Sequence, residues 1–228
     1  MTEQRTFADA IRSNKRRTTR REQFLTEMDP VMPWATVEAL VAPHSSKAGR
    51  GRRPLLMATM RRMYFLQQWV NLSDPQAEDL LYDSESMRRF AQMDLLHDTV
   101  PDETTICKFR HLLEAHQLTA RMFDAVKARL EERKLLLKAG TIVDATIIGA
   151  PSSTKNATKT RDPEMRQTNK GNQWYFGMKV HVGTDRRGVI HTITTTDAAT
   201  ADITQLPHLL HGQETTLHGD KAYNKAED

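Results

Sequence analysis

The chain has 228 residues, enough for one or two domains with a real core. It is 38% hydrophobic and 27% charged, with a net charge of +4 and a single cysteine, Cys107. No apolar run reaches the ~18 residues of a membrane span, the opening MTEQRTFADA has no secretory apolar stretch, and one cysteine excludes both an intrachain disulfide and a Cys-based zinc site. These features point to a soluble protein of the reducing cytoplasm with no membrane partner.

Charge is segregated along the chain. Residues 1–22 hold seven Lys/Arg against three acids, and residues 47–62, KAGRGRRPLLMATMRR, hold six and no acid. Residues 71–106 reverse the sign, with nine Asp/Glu against two Arg. Clustered cations favour a polyanion partner, although each cluster alone is also compatible with a solvated helix face. Arg50, Arg52 and Arg53 are the candidate phosphate contacts, just before a helix expected to begin near Pro54.

In chain order, Leu55, Leu56, Met60, Met63, Tyr64 and Leu66 recur at helical spacing. Ser73-Asp74-Pro75 starts another helix, with Ser73 as cap and Leu80 and Leu81 inside. Asp102 opens a third through Ile106, Phe109, Leu112 and Leu113. Residues 118–137 carry Leu118, Met122, Val126, Leu130 and Leu136 close to one stripe. The Met and aromatic positions of these stripes read as core.

After Gly140 the period changes. TIVDATII, 141–148, is a β-branched run expected to be a strand buried on both faces. Residues 151–173 are polar and Pro/Gly-marked and read as a long loop. FGMKVHVGTD and GVIHTITTTD flank Arg186-Arg187, a hairpin turn. ADITQLPHLL, 201–210, has a helical pattern that Pro207 should disturb near its end, and TTLHGD is a further strand. The fold class is therefore α+β: a helical, basic DNA-binding and oligomerising domain over 1–138, then an α/β module over 139–228.

Asp144 lies mid-strand among Ile142, Val143, Ile147 and Ile148. Aspartate is a poor strand residue, and its charge among buried neighbours needs a cation or an arginine. Asp220 repeats the theme at the end of a later strand. For either residue alone, a cap or a salt bridge is the plain alternative. Two of them, with a hairpin and a helix between, resemble the ribonuclease H-like fold. There the first and fourth strands lie side by side, which brings residues 144 and 220 together despite 76 residues of separation.

The likeness extends to motifs. NKGNQWYFGMKVHVGTD, TIVDATIIGAPSSTKN around Asp144 and LHGDKAY around Asp220 resemble blocks of bacterial DDE transposases of the insertion-sequence-5 family. LYDSESMRRFAQMDL and PDETTICKFRHLLE resemble that family's helical domain, so the likeness runs from about residue 24 onward. The resemblance implies a DNA cut-and-join enzyme acting at the terminal inverted repeats of its own element and on target DNA. It implies Asp144 and Asp220 as catalytic ligands of Mg²⁺ or Mn²⁺, and a homo-oligomer assembled on double-stranded DNA near the nucleoid. The family's third acid, in a Tyr…Arg…Glu…Lys block, has no counterpart in these residues, and Glu227 lacks those neighbours. The expectation is a truncated, incomplete ribonuclease H-like domain, inactive alone, with the strand near Thr215–His218 left as an uncovered edge. A fragment that binds DNA and represses an intact transposase is the alternative.

Histidines 181, 191, 208, 211 and 218 suggest zinc only superficially; no HExxH or paired-cysteine spacing supports it, and they read as polar surface. Lys170 and Trp174, with Tyr175, are candidates for contact with DNA, against the alternative of packing between loop and sheet.

Overall fold

A computed structural model describes residues 17–44, 57–151 and 160–224. Arg50, Arg52, Arg53 and the expected helix start at Pro54 lie outside the described residues. The chain divides into two compact units, Met1–Arg129 and Leu130–Asp228.

The first unit is helical: α1 (Arg20–Met28), α2 (Trp34–Val41), α3 (Met57–Val70), α4 (Asp74–Asp83), α5 (Glu85–Phe90), α6 (Glu103–Ala115) and α7 (Leu118–Glu132). The helix starts follow local chemistry. Ser73 accepts from the Gln76 N–H while the Gln76 side chain accepts from the Ser73 N–H, a complete capping box, and Pro75 sits in the first turn. Asp102 accepts from the Thr105 N–H at 2.7 Å. The stripes predicted from spacing do form the core: Met60, Met63, Leu66, Leu81, Ile106, Phe109, Leu113, Leu118 and Met122 are buried. Val126 and Leu130 are only half-buried, and α7 stops at Glu132 rather than reaching 137. Lys134 adopts φ +56° and the Leu135 N–H returns to the Leu130 carbonyl, closing the helix before Leu136.

The basic run 47–62 is not uniformly available to a polyanion. Arg61 and Arg62 are buried on α3. Arg62 donates to Asp29 at 2.6 Å and to the Phe90 carbonyl at 3.0 Å, and its guanidinium lies over the Trp34 ring at 4.3 Å. Arg61 pairs with Glu38 at 3.3 Å. Both cations hold the helical unit together.

The second unit is a mixed sheet of β1 (Gly140–Gly149), β2 (Arg166–Lys170), β3 (Gln173–Thr184), β4 (Ile190–Asp197) and β5 (Thr216–His218). β3 is antiparallel to β1, β2 and β4, and β5 runs parallel to β1. The long loop expected over 151–173 contains β2. Its sequence RQTNK has no apolar alternation, so only its pairing with β3 makes it a strand. The ribbon turns through Gly171-Asn172 between the Lys170 and Gln173 pair, with Gly171 at φ +61°.

β1 is not buried on both faces. Thr141 and Val143 point inward, whereas Ile142, Asp144, Thr146 and Ile148 are exposed, Ile148 at 55%. The run of β-branched residues conceals an alternation that polarity does not mark. Residues 201–210 form a 3-10 turn, Asp202–Gln205, and a single α turn, α8 (Leu206–Leu209). Pro207 lies in the first turn of α8, where no N–H is required, and so opens the turn instead of ending it. Leu209 and Tyr223, from a final 3-10 turn (Lys221–Tyr223), pack on Val143 beneath the inner face of β1. Among the described residues β5 pairs only with β1, and it is only three residues long.

Candidate active site and nucleic-acid interface

The register of β1 and β5 pairs Gly140 with Thr216, Thr141 with Leu217 and Ile142 with His218. Asp144 and Asp220 each follow that last pair by two residues. β1 continues through Asp144, while the other chain leaves the strand at Gly219 and caps the final 3-10 turn with Asp220. Both aspartates are exposed. Asp144 Oδ1 accepts from the Ala145 N–H at 2.8 Å, and Asp220 Oδ1 accepts from the Ala222 N–H at 2.9 Å. Among the described residues the Oδ2 atom of each takes no protein hydrogen bond. The premise that Asp144 is a charge trapped in a buried strand is therefore replaced: it stands on the open face of the sheet, where water already solvates it.

The turn bearing Asp220 is fixed by packing. A Cβ placed on Gly219 would lie 2.9 Å from Val143 Cγ2 and 3.2 Å from Tyr223 Cβ. A glycine is needed there for β5 to close on β1. Tyr223 is only 7% exposed, and among the described residues its hydroxyl has no hydrogen-bond partner. Burial, and then Asp202, Asp144 and Asp220 in that order, push its phenol well above the ordinary value, so it stays protonated.

Behind the sheet, Lys179 donates to Asp202 at 2.8 Å and to the Thr200 carbonyl at 2.7 Å. His181, fully buried, shares a 2.9 Å hydrogen bond with Thr196, and burial depresses its pKa and keeps the imidazole neutral. His191 lies 3.2 Å from the Thr141 hydroxyl. These two histidines are therefore core partners of threonines rather than polar surface, a correction that follows from their inward-facing positions on β3 and β4.

Sequence reasoning missed Asp185, which is fully buried. It closes the β3–β4 turn, accepting from the N–H groups of Leu137, Arg187 and Val189 at 3.0, 2.8 and 2.9 Å. Burial would raise its carboxyl, but these three donors outweigh it and hold the pKa below the usual range. The Asp-x-x-Gly spacing of 185–188 is the signal that could have revealed it. Gly219 and Tyr223 were likewise legible only as neighbours of Asp220.

Among the described residues no group of three or more His, Cys, Asp or Glu side chains is placed to hold a metal ion. Two hard carboxylates, each with one oxygen not engaged locally, do fit Mg²⁺ or Mn²⁺, ions that keep several waters and take one or two protein carboxylates. Lys170 and Trp174 lie at the β2–β3 ribbon, on either side of its turn, and Trp174 is 69% exposed. It is not packed between loop and sheet. No described helix is long and apolar enough to cross a membrane.

Two family comparisons match the chain. Residues 12–112 match "Transposase domain (DUF772)", and residues 136–228 match "Transposase DDE domain". The second accounts for the ribonuclease H-like sheet. No solved structure matches the chain.

Proposed function

From the premise that the chain belongs to the DDE transposases, we propose that Asp144 and Asp220 are two of its catalytic carboxylates. Its substrates are the terminal inverted repeats of an insertion sequence of the insertion-sequence-5 group and the target DNA. The observation that supports this reading is that each aspartate lies two residues beyond the last pair, Ile142 and His218, of the parallel strands β1 and β5. Asp144 and Asp220 would hold Mg²⁺ or Mn²⁺ through the oxygens that their own backbone does not engage. Such ions, when bound, activate an attacking oxygen and stabilise a leaving phosphate-ester oxygen.

The chain's own contribution is position. The nucleophile is water or a DNA 3′-hydroxyl, and no covalent bond to the enzyme is made. The exposed face carrying Asp144 gives a phosphodiester access among the described residues. Lys170 and Trp174 contact duplex DNA, and Arg50, Arg52 and Arg53 add phosphate contacts that do not depend on sequence. The protein works as a homo-oligomer on DNA, in the cytoplasm at the nucleoid. We further propose that these 228 residues bind DNA without cutting it, because no third carboxylate joins the pair among the described residues.

The test is strand cleavage of end-labelled element-end duplex with Mg²⁺ or Mn²⁺. The 228-residue chain should bind and not cut, and an extended chain carrying a Tyr…Arg…Glu…Lys block should cut. Cleavage by the 228 residues alone overturns the proposal that they bind without cutting and spares the site. Failure of the extended chain to cut, or cutting that survives Asp144→Asn, overturns the site. Tight duplex binding that inhibits an intact transposase favours the second reading, a repressing fragment.

A further inference from the structure

The β2–β3 ribbon projects from the sheet with an unusual composition. Between Glu164 and Asp185 there is no acidic residue, while Arg166, Lys170 and Lys179 are present and Arg161 precedes the stretch. Residues 169–174 are all exposed. An exposed tryptophan at the tip of a polar strand pair contributes nothing to the core, and 69% of its surface is left in water.

The faces of the ribbon follow from register. Asn169 pairs with Trp174 and Gln167 with Phe176, so these four share one face. Arg161 lies over the Phe176 ring at 5.3 Å and belongs to the same side. Along β3 the odd positions 177, 181 and 183 are buried, so Trp174, Phe176, Met178, Val180 and Val182 lie on the opposite, open face. Val182 pairs with Asp144. Trp174 and Asp144 therefore stand on the same face of one continuous strand pairing, separated along β3 by the eight residues from Trp174 to Val182. At about 3.3 Å per residue that is about 26 Å.

We infer that this face is a track for duplex DNA, with the ribbon tip, led by Trp174 with Arg161 on the same face and Lys170 at the turn on the reverse face, engaging the duplex about eight base pairs from the phosphodiester held at Asp144 and Asp220. The spacing is the ~26 Å strand distance divided by the ~3.4 Å rise of the duplex. A two-stranded ribbon is narrow enough for the major groove. Asn169 and Gln167 present amides on the same face as Trp174, suited to base edges. Duplex DNA is the occupant because residues 165–184 offer cations and an aromatic ring with no carboxylate, the acids nearest the tip in sequence being Asp162 and Glu164 beside Arg161, which disfavours a basic partner and gives an apolar partner little to bury. The distance rests on the assignment of Asp144 and Asp220 as the reacting centre; the binding surface does not.

The full 228-residue chain is titrated in EDTA with a labelled random-sequence duplex at several salt concentrations. Trp174→Ala should weaken binding about tenfold, as truncation of an anchoring aromatic at an interface does. Arg161→Ala with Lys170→Ala should lower the salt slope by about two, at ~0.9 per neutralised phosphate. Trp174→Phe should keep most of the affinity yet abolish the quenching of tryptophan emission that DNA causes in the wild type. All these side chains are solvent-facing, so unchanged circular dichroism is expected. A wild-type chain that does not bind duplex, or variants with wild-type affinity and slope, overturn the inference. For the spacing, a photo-crosslinker at position 174 should mark DNA about eight base pairs from the oxidative scission made by Fe²⁺ supplied in place of Mg²⁺ together with hydrogen peroxide and ascorbate. Crosslinks that coincide with the scission overturn the spacing. Loss of the Fe²⁺ scission with crosslinking intact overturns the carboxylate assignment instead.

Discussion

Asp144 and Asp220 each follow by two residues the last pair, Ile142 and His218, of two neighbouring parallel strands, Asp144 still on β1 and Asp220 in the turn that leaves β5. Each also has one carboxylate oxygen held by a backbone N–H one or two residues on. That local bond orients the carboxylate before any ion arrives. Removing either charge should therefore have the same consequence. Asp144→Asn and Asp220→Asn are expected to reduce Mn²⁺ affinity by more than the about 10–100-fold that losing an outer partner of a metal ligand costs. Calorimetric or paramagnetic titration with Mn²⁺ measures this, and a variant that binds Mn²⁺ like the wild type removes that residue from the site.

Gly219 and Tyr223 set how closely the Asp220 turn lies against β1. Gly219→Ala forces a methyl to within 2.9 Å of Val143 Cγ2 and should cost about 1–3 kcal/mol of stability while weakening Mn²⁺ binding. Tyr223→Phe keeps the wedge and removes a buried hydroxyl that has no partner among the described residues. It should leave Mn²⁺ binding intact and leave stability unchanged or raise it by about 1 kcal/mol. A large destabilisation by Tyr223→Phe in thermal unfolding would show that the hydroxyl does have a partner.

The helical unit was legible because its signals are local. Ser73 and Asp102 cap helices through their own side chains, and the buried stripe from Met60 to Leu66 is read directly at helical spacing. In the sheet, Asp144 and Asp220 stood out because aspartate is unfavourable in a strand. What stayed hidden depends on partners distant in sequence. β2 exists only through β3, the two faces of β1 differ although both carry isoleucine or valine, and Arg61 and Arg62 pair with Glu38 and Asp29 from earlier in the chain. No window of sequence contains those pairings.

Asp74 links the start of α4 to α6. Arg110 donates to both its oxygens at 2.7 Å, and Gln67 donates to Oδ1 at 2.8 Å. The Arg110 bond, more than the others, holds the Asp74 carboxyl below its ordinary pKa, against the opposing effect of burial. A carboxyl depressed in the folded state binds its proton more readily when unfolded. Its stabilisation is thus complete above the unfolded value, about 3.9, and is lost as pH falls through the folded one. Arg110→Ala should cost about 1 kcal/mol at neutral pH, a figure held down by the partial exposure of the guanidinium. The difference from the wild type should shrink below about pH 3.9. Chemical denaturation as a function of pH measures both, and a difference that grows in acid would contradict the assignment.

The arginines of residues 47–62 should separate into two classes by experiment. Arg62 sits buried between Asp29, the Phe90 carbonyl and the Trp34 ring, so Arg62→Ala takes its donor from the Phe90 carbonyl and leaves Asp29 with the Trp34 Nε1–H bond at 2.9 Å. It should destabilise the helical unit by about 1–3 kcal/mol, chiefly the cost of leaving a buried carbonyl without its donor because the Asp29 side chain is 46% exposed, while DNA binding by the protein that remains folded keeps its salt slope. Arg50, Arg52 and Arg53, in an acid-free stretch, should behave in the opposite way. Their combined change to Ala should leave the melting temperature where it is and weaken binding to all duplexes alike. The slope of log affinity against log salt should flatten by about 0.9 for each phosphate that is no longer neutralised. A parallel series of thermal melts and salt titrations reads both classes. If the triple variant lowers the melting temperature and leaves the slope unchanged, these three arginines are structural, like their neighbours on α3.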